Sequence, residues 1–536
     1  MTALSDETQT KVLELIGAGR ADEAVAVLEE GLAETPDSQP GWAMLMSVRY
    51  AQDRLAEWGD AVARLIDRIE NPEHTLLPLV SDMLLRGFGD EAARVAEAML
   101  EQWPDSLAIN EFVFFYKLTY GRDDAEAFAE YKRWNDLVKR IRPAAPSSPA
   151  ETDRTPDRPL RIGYLSSDFG GGHSLVAVLA SWFAWEDENS DVHILYSNMD
   201  PAIEPYPVFT EAADAFVNVS ALSDVELNDR IRADRIDILV DFILHLPGNR
   251  LGALAMKPAP IIASWLAVGI APGEDSVDYV IGDEIVVGPA QRDNYVEKVV
   301  WLPDTHMAWQ PPPRSPEIAP PPCLANGQVA FGNLNRIAKF SPECLDLWAE
   351  VLSRVPGSTM TFKYTAIDQE QSKTYIAVPF LAKGVGLERL IFLGATPQFE
   401  HLETYNAIDI VLDSFPQQAG VSGFEPPWMG VPTISYCCID RPVGRLALIF
   451  AKSLNYESLI AESPEDYVRI AIDLAADTDY LVEQRSVMRQ RLLDSPLCDR
   501  TAYSRNVGLA LREMWRRHCA GEPPAHFAVP GRASMS

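Results

Sequence analysis

The chain of 536 residues is poor in cysteine and in positive charge, and it has no long apolar run. Its six cysteines, Cys323, Cys344, Cys437, Cys438, Cys498 and Cys519, form no CxxC pair, no zinc-type quartet and no visible disulfide framework. That usage suits a reducing cytoplasm. No stretch of about 18 apolar residues is present to span a bilayer. The N-terminus, MTALSDETQTKVLELIGAGRADEA, lacks a basic n-region and a long apolar h-region. A cytoplasmic protein with no membrane insertion is expected. Lys and Arg number 46 against 78 Asp and Glu, for a formal charge of −32 and a pI near 4.6. Such a surface repels nucleic acid and anionic lipid, so neither is expected as a partner. A small nucleotide is not excluded, because local cations override the net field inside a cleft. Nor is there a D-x-D signature in a suitable loop, or a histidine cluster. A metal-independent mechanism without a cofactor is expected, in which fixed cations and a helix N-terminus offset developing charge.

Hydrophobic residues make up 47% of the chain, enough for packed cores, and the length suits about three domains. In residues 1–141, apolar residues recur at three- and four-residue spacing between Gly, Asp and Pro breaks. The segment also repeats. Gly19-Arg-Ala-Asp-Glu-Ala24 returns as Gly87-Phe-Gly-Asp-Glu-Ala92, and Pro36-Asp-Ser38 returns as Pro104-Asp-Ser106, both 68 residues later. That is twice the tetratricopeptide period of about 34. Gly121 continues the series, Trp42 and Leu45 supply large residues to an intervening unit, and Asp53 stands where a glycine is expected. Ala24 and Ala92 are placed where two helices approach closely. Stacked helical hairpins make a groove for polypeptide, so the acceptor site is assigned to the groove of residues 1–141 without naming residues.

Residues 142–159, RPAAPSSPAETDRTPDRP, read as a proline-rich linker. Beyond it, β-type runs at 160–165, 193–196 and 238–242 alternate with helical stretches such as 224–233. A second proline cluster at 310–322 intervenes. The alternation restarts at 329–332, 360–364, 390–393, 408–412 and 432–436. Two α/β lobes with parallel sheets follow, at 160–322 and 323–494, with a ligand cleft at the carboxyl ends of their strands. Residues 495–536 read as a helical segment and tail.

Four segments carry candidate chemistry. The first, IFLGATPQFEHLETYNAIDIVLDSFPQQAGVSGFEPPWMG at 391–430, holds an apolar run ending at Asp413, a small-residue loop and then Glu425. A loop of small residues opening a helix is an anion site, and a first-turn carboxylate accepts from a ribose diol. Phosphate and ribose together point to a nucleotide-linked donor. In SSDFGGGHS, three glycines allow close backbone approach and His173 lies at the loop-to-helix junction, as a base, a positioning group or a capping residue. In FGNLNRIAK, Arg336 and Lys339 are spaced either to face one phosphate or to stand as two solvated cations at a helix start. In TPQFEH, His401 lies near the cleft or caps a helix.

Taken together, these segments resemble the O-GlcNAc transferase family, glycosyltransferases of GT-B fold that carry tetratricopeptide repeats. The similarity lies in LRIGYLSSDFGGGHS, KPAPIIASWL with VDYVIGDE, GNLNRIAKFSP, DIVLDSFPQQAGVSGFEPPWMGVPTIS and SPLCDRTAYSRNVGLALREMWRRHCAGEPPAHF. The resemblance implies a GT-B pair of Rossmann-like lobes behind an all-α repeat domain. It also implies inverting, metal-independent transfer of a sugar to Ser or Thr hydroxyls. Residue by residue, it gives His173 and Lys339 as catalytic groups, Lys339 neutralising the donor phosphate. It places His401 beside the base, Ser422 in the phosphate loop and Glu425 on the ribose. The chain departs from the family pattern at Gln398, Thr404, Gly420, Val421 and Arg336. Groups that read a uracil base and hold a diphosphate are thereby missing. Bacterial flagellin-modifying members of similar layout use CMP-activated nonulosonic acids, so a CMP-linked donor and a flagellin acceptor are expected. UDP-N-acetylglucosamine is the alternative donor. An inactive repeat scaffold is the alternative of another class.

Overall fold

The computed structural model describes residues 4–531 except 36–37, 52–61, 63–72, 74–75, 143–152, 172–173, 185–189, 267–268, 366 and 368. The chain forms two compact units. One comprises Met1–Tyr116 with Arg336–Ala338 and Ala366–Ile376; the other comprises Lys117–Asn335, Lys339–Thr365 and Ala377–Ser536.

In the first unit the repeated residues do repeated work. Helices Asp6–Gly17 and Ala21–Glu34 pack on one another, as do Leu77–Leu85 and Gly89–Gln102. Each pair is joined through a left-handed glycine, Gly19 at φ +72° and Gly87 at φ +98°. After it the chain folds back, with the Arg20 amide on the Leu15 carbonyl (2.9 Å) and the Phe88 amide on the Met83 carbonyl (3.0 Å). This satisfies helix-end carbonyls that otherwise lack a donor. Ala24 and Ala92 are fully buried in the second helix of each pair. Ser38 and Ser106 accept from the amides of Gly41 and Ile109, both at 3.3 Å, as N-caps of the next helices. Leu45 joins the core of the first repeats with Leu4, Val12, Leu28 and Leu32, and Trp42 packs against it. Asp53 lies outside the described residues.

The second unit holds two parallel sheets. Its first lobe contains β1 (Arg161–Ser166), β2 (Val192–Ser197), β3 (Ala215–Asn218), β4 (Ile238–Asp241), β5 (Ile261–Trp265), β6 (Tyr279–Gly282) and β7 (Lys298–Trp301). Its second contains β8 (Ala330–Asn333), β9 (Thr359–Lys363), β10 (Leu390–Leu393), β11 (Ile410–Leu412), β12 (Thr433–Tyr436) and β13 (Ile460–Ala461). A last strand, β14 (Phe527–Ala528), returns to the first lobe and pairs with β7. The orders are β14-β7-β6-β5-β4-β1-β2-β3 and β10-β9-β8-β11-β12-β13. Strands such as β1 and β4 are buried almost throughout, as parallel strands covered on both faces must be. In each sheet the order reverses at one point, between β1 and β4 and between β8 and β11. Loops diverge at such a point and leave a crevice at the strands' carboxyl ends. All the strands expected from sequence are present within a residue or two. The tail is not wholly helical: helix Arg500–Cys519 packs on helix Val176–Trp182, and β14 follows it.

Helix Asp124–Ile141 belongs to this α/β unit, although the repeat pattern extends to residue 141. It touches both lobes. At its start the Arg441 guanidinium donates to the Asp123 carbonyl (3.0 Å) and pairs with Asp124 (3.0 Å). Further along, the Tyr131 hydroxyl donates to buried Glu297, and Asn135 exchanges hydrogen bonds with Asp275 (3.0 and 3.2 Å). Burial pushes the Glu297 carboxyl up to about 7. Arg142, just beyond the helix, meets buried Glu274 at 2.6 Å. The described end of the proline-rich segment is also tied down. Arg158 grips Asp237 with two bonds (2.8 and 2.6 Å) and covers the Trp515 ring at 4.7 Å.

Two outcomes follow. An alanine at Gly19, where a side chain meets nothing within 4 Å, costs about 1–2 kcal/mol of unfolding free energy through backbone conformation alone. Gly17→Ala, inside a helix with equal space, stabilises by a few tenths to about 1 kcal/mol. Urea titrations of the two variants show these opposite signs. A chain beginning at Lys117 keeps the thermal transition of the α/β unit, whereas one beginning at Arg142 leaves Glu297 with the Gly273 and Glu274 amides but without the Tyr131 hydroxyl. That loss lowers the midpoint by about 2–4 °C per kcal/mol in scanning calorimetry.

Candidate functional site

The second lobe's crevice lies between the segments that leave β8 and β11, and most of the expected donor-side residues meet there. After β8, short amides end the strand: the Asn335 amide donates to Asn333 Oδ1 at 2.8 Å, and Asn333 Nδ2 to the Leu412 carbonyl at 2.7 Å. The turn Ile337–Lys339 then brings Lys339 back over the strand end. Its ammonium is buried and donates to the Gln418 carbonyl (3.0 Å) and Asn335 Oδ1 (3.2 Å). The same Asn335 oxygen accepts from the Ser422 hydroxyl at 2.7 Å. Lys339 and Ser422, 83 positions apart in the chain, are therefore joined by two hydrogen bonds to one oxygen of Asn335.

After β11, Asp413 is buried at the root of the loop. Its carboxylate accepts from the Ser414 amide (2.9 Å), the Ala419 amide (3.1 Å) and the Ser435 hydroxyl (2.9 Å). Burial pushes this carboxyl up to about 6, against the opposing pull of the Lys339 charge and those hydrogen bonds. Gln418 is fully buried and clamps the loop. Its amide donates to the Val443 carbonyl (2.9 Å), its side chain to the Tyr436 carbonyl (3.1 Å), and its Oε1 accepts from the Ala447 amide (2.8 Å). With the root held in this way, the next three amides, of Gly420, Val421 and Ser422, take no protein acceptor among the described residues. Successive unsatisfied amides beside a lysine form an anion-binding concavity.

The helix expected at Glu425 is one turn long, Glu425–Trp428, preceded by the tight turn Val421–Phe424. Pro426 and Pro427 open it and Gly430, left-handed at φ +71°, follows its end. A helix this short adds little macrodipole, so local amides and Lys339 carry the anion site instead of the expected helix. Glu425 Oε2 lies 3.0 Å from His401 Nε2 and accepts from the Tyr405 hydroxyl at 3.1 Å. Burial, with Glu425 alongside, raises the Tyr405 phenol well above its usual range. Among the described residues, Glu425 Oε1 takes no donor. Thr404, on the turn after the His401 helix, accepts from the Lys363 ammonium at 2.7 Å.

Thus Lys339, Gly420, Val421 and Ser422 come together at one switch point, with Glu425 and His401 joined to each other along the same loop. Arg336, half-buried, lies three residues before Lys339 on the same segment after β8. His173 lies outside the described residues. In the first lobe the loop of 242–250 follows β4 at the matching switch point. It carries buried His245, whose Nε2 lies 2.9 Å from the Pro272 carbonyl. Sequence reasoning passed over Asn335, Asp413, Gln418 and Tyr405. The alternating asparagines at 333 and 335 were a legible sign of a strand ending in an Asx turn. Nothing local marks Gln418 or Tyr405. Among the described residues, no three His, Cys, Asp or Glu side chains converge as a metal site, and no helix is long and apolar enough to cross a membrane.

The chain is similar to known proteins. The model of glycosyl transferase family 41 matches residues 137–309 and 322–507. The tomato (Solanum lycopersicum) protein SPINDLY, described as a probable UDP-N-acetylglucosamine–peptide N-acetylglucosaminyltransferase, is 28% identical over 425 residues. That alignment covers 78% of this chain and 45% of the tomato protein. The similarly described SEC protein of Arabidopsis thaliana is 29% identical over 382 residues, covering 69% of this chain and 38% of its own length. The chain thus spans under half the length of these curated relatives. Among solved structures, a mutant of the Thermobaculum terrenum O-GlcNAc transferase superposes with a TM-score of 0.79 at 26% identity. It covers 97% of this chain and 100% of its own. Two parallel-sheet lobes, a lysine and free amides at the switch point of the second, and a family match over most of the chain lead to one assignment: this chain is a member of glycosyltransferase family 41, with a GT-B fold behind helical repeats.

Proposed function

We propose that the protein is an inverting O-glycosyltransferase that moves a sugar from a nucleotide donor to Ser or Thr hydroxyls of a polypeptide. The observation that carries this reading is the convergence of Lys339 with the three free amides of Gly420, Val421 and Ser422. An acceptor hydroxyl attacks the anomeric carbon from the face opposite the nucleotide, and the C–O bond to the phosphate breaks. Negative charge then grows on that phosphate. Lys339 and the amides are already fixed around the place where it appears, so little reorganisation is needed as it forms. Glu425 and His401 grip the ribose and base side, and His173 serves the acceptor hydroxyl as base or positioning group. The helical repeats recruit the polypeptide.

The donor we favour is a CMP-activated nonulosonic acid and the acceptor bacterial flagellin. Gly420 and Val421 contribute amides but no side-chain donors, a supply suited to one phosphate better than two. Gln398 and Thr404 leave the base side without the cations of the family pattern. UDP-N-acetylglucosamine is the second reading, favoured by the descriptions of the tomato, Arabidopsis and Thermobaculum relatives.

Intact-mass analysis of flagellin and total protein from cells with and without the gene tests the reading. The expected increment is that of a nonulosonic acid. An N-acetylhexosamine increment selects the second donor, and no increment on any protein rejects the transferase. Lys339→Ala lowers turnover by about 10²–10³-fold, as loss of one charge-stabilising donor does elsewhere. Removal of residues 1–116, a cut that spares helix Asp124–Ile141, abolishes modification of the protein acceptor while nucleotide protection against thermal unfolding persists.

A further inference from the structure

Asp413 has no part in the reaction as written, yet it is the most heavily committed carboxylate of the site. It is about 1% exposed. One oxygen takes the Ser414 and Ala419 amides, the other the Ser435 hydroxyl. The Ala419 amide immediately precedes the three free ones, so Asp413 fixes the direction from which the concavity starts. The Tyr467 hydroxyl secures its backbone carbonyl at 3.3 Å. The groups facing it from other elements are Cys344, Tyr405, Cys437, Tyr456 and Tyr467, all held neutral by burial, together with Lys339. Among the described residues, Lys339 is the cation whose charge opposes the effect of burial on Asp413. A donor phosphate entering the concavity claims the same cation. Two anions then share a single ammonium in a low-dielectric site, which disfavours ionisation of the weaker acid. A phosphate ester stays ionised, so the carboxylate must yield.

We propose that Asp413 is a positioning residue of the phosphate site, acting through Lys339 and the Ala419 amide, and that it takes up one proton from solvent as a phosphate-bearing donor binds. The proposal rests on the reading of this loop as the donor phosphate site. Burial already places the free carboxyl at about 6, close enough to neutrality for a bound anion to complete the change. The sign is fixed: binding linked to proton uptake tightens as pH falls. A rise of one unit in the bound state makes donor affinity increase about fivefold between about pH 8 and about pH 6.

Isothermal titration of the full chain with a CMP-activated nonulosonic acid and with UDP-N-acetylglucosamine, in Pipes and in Tris, tests this. Both donors are phosphate esters that do not themselves titrate in this range. The expected result is a binding heat that differs between the buffers for wild type and is the same in both for Asp413→Asn. That difference separates Asp413 from His401 at the other end of the site. Asp413→Asn, a neutral stand-in for the protonated acid, lowers donor KM at about pH 8 toward the wild-type value at low pH, changes kcat less, and flattens the pH dependence of affinity. Ser435→Ala, which leaves the charge in place and removes one bond to it, shifts the midpoint of that dependence to higher pH. It serves if the asparagine variant fails to fold. Buffer-independent heats in wild type, retained buffer dependence in Asp413→Asn, or an unmoved midpoint in Ser435→Ala overturns the proposal alone. Absence of binding by either donor overturns the reading of the site beneath it.

Discussion

Burying one ammonium group organises the second lobe's crevice. A lysine removed from water must recover its lost hydration from fixed acceptors, and each of those must be held in place by something else. Lys339 draws on the Gln418 carbonyl, on Asn335 and on the charge of Asp413. To aim that carbonyl inward, Gln418 is held by Val443, Tyr436 and Ala447. With the chain pinned there, the following amides turn outward. The loop is thus shaped by the needs of the lysine, and the unsatisfied amides of Gly420, Val421 and Ser422, counted among the described residues, are a by-product of how those needs are met.

Much of this was legible in the sequence, for identifiable reasons. The 68-residue recurrence of glycine, alanine and serine marks positions where backbone conformation, close approach and capping admit few residue types, and all three meanings appear in the structure. The parallel strands are near-continuous apolar runs, so β8 to β12 stood out. The very short β13 and β14 did not. Lys339, Ser422 and Glu425 were readable because loops of small residues near strand ends attract attention. Gln418 and Tyr405 were not. Their roles come from partners 18 to 79 residues away, and no local pattern encodes such a meeting. The expected helix at Glu425 shrank to one turn because the glycine at 430, in a left-handed conformation, ends what two prolines begin.

The repeat pattern and the compact units divide the chain at different places. Helix Asp124–Ile141 has the look of a repeat helix and the contacts of a lobe helix. Its bonds to Arg441 at one end and to Asp275 and Glu297 further along bind it to both halves of the GT-B module. A helix fastened to both lobes restrains their hinging. Sequence similarity within the family begins inside this helix, at residue 137, which suits an element that is part of the transferase.

Strand β14 lies on the outer edge of the first lobe's sheet, beside β7, yet its residues leave the ribosome more than 220 positions after those of its neighbour. Helix Arg500–Cys519, which covers β5 and helix Val176–Trp182, arrives equally late. During synthesis the first lobe therefore waits, with an unpaired sheet edge and an uncovered apolar face, until the second lobe has been made. Nascent chains of this topology present a long-lived aggregation hazard, and the two lobes mature as one event despite their separate sheets.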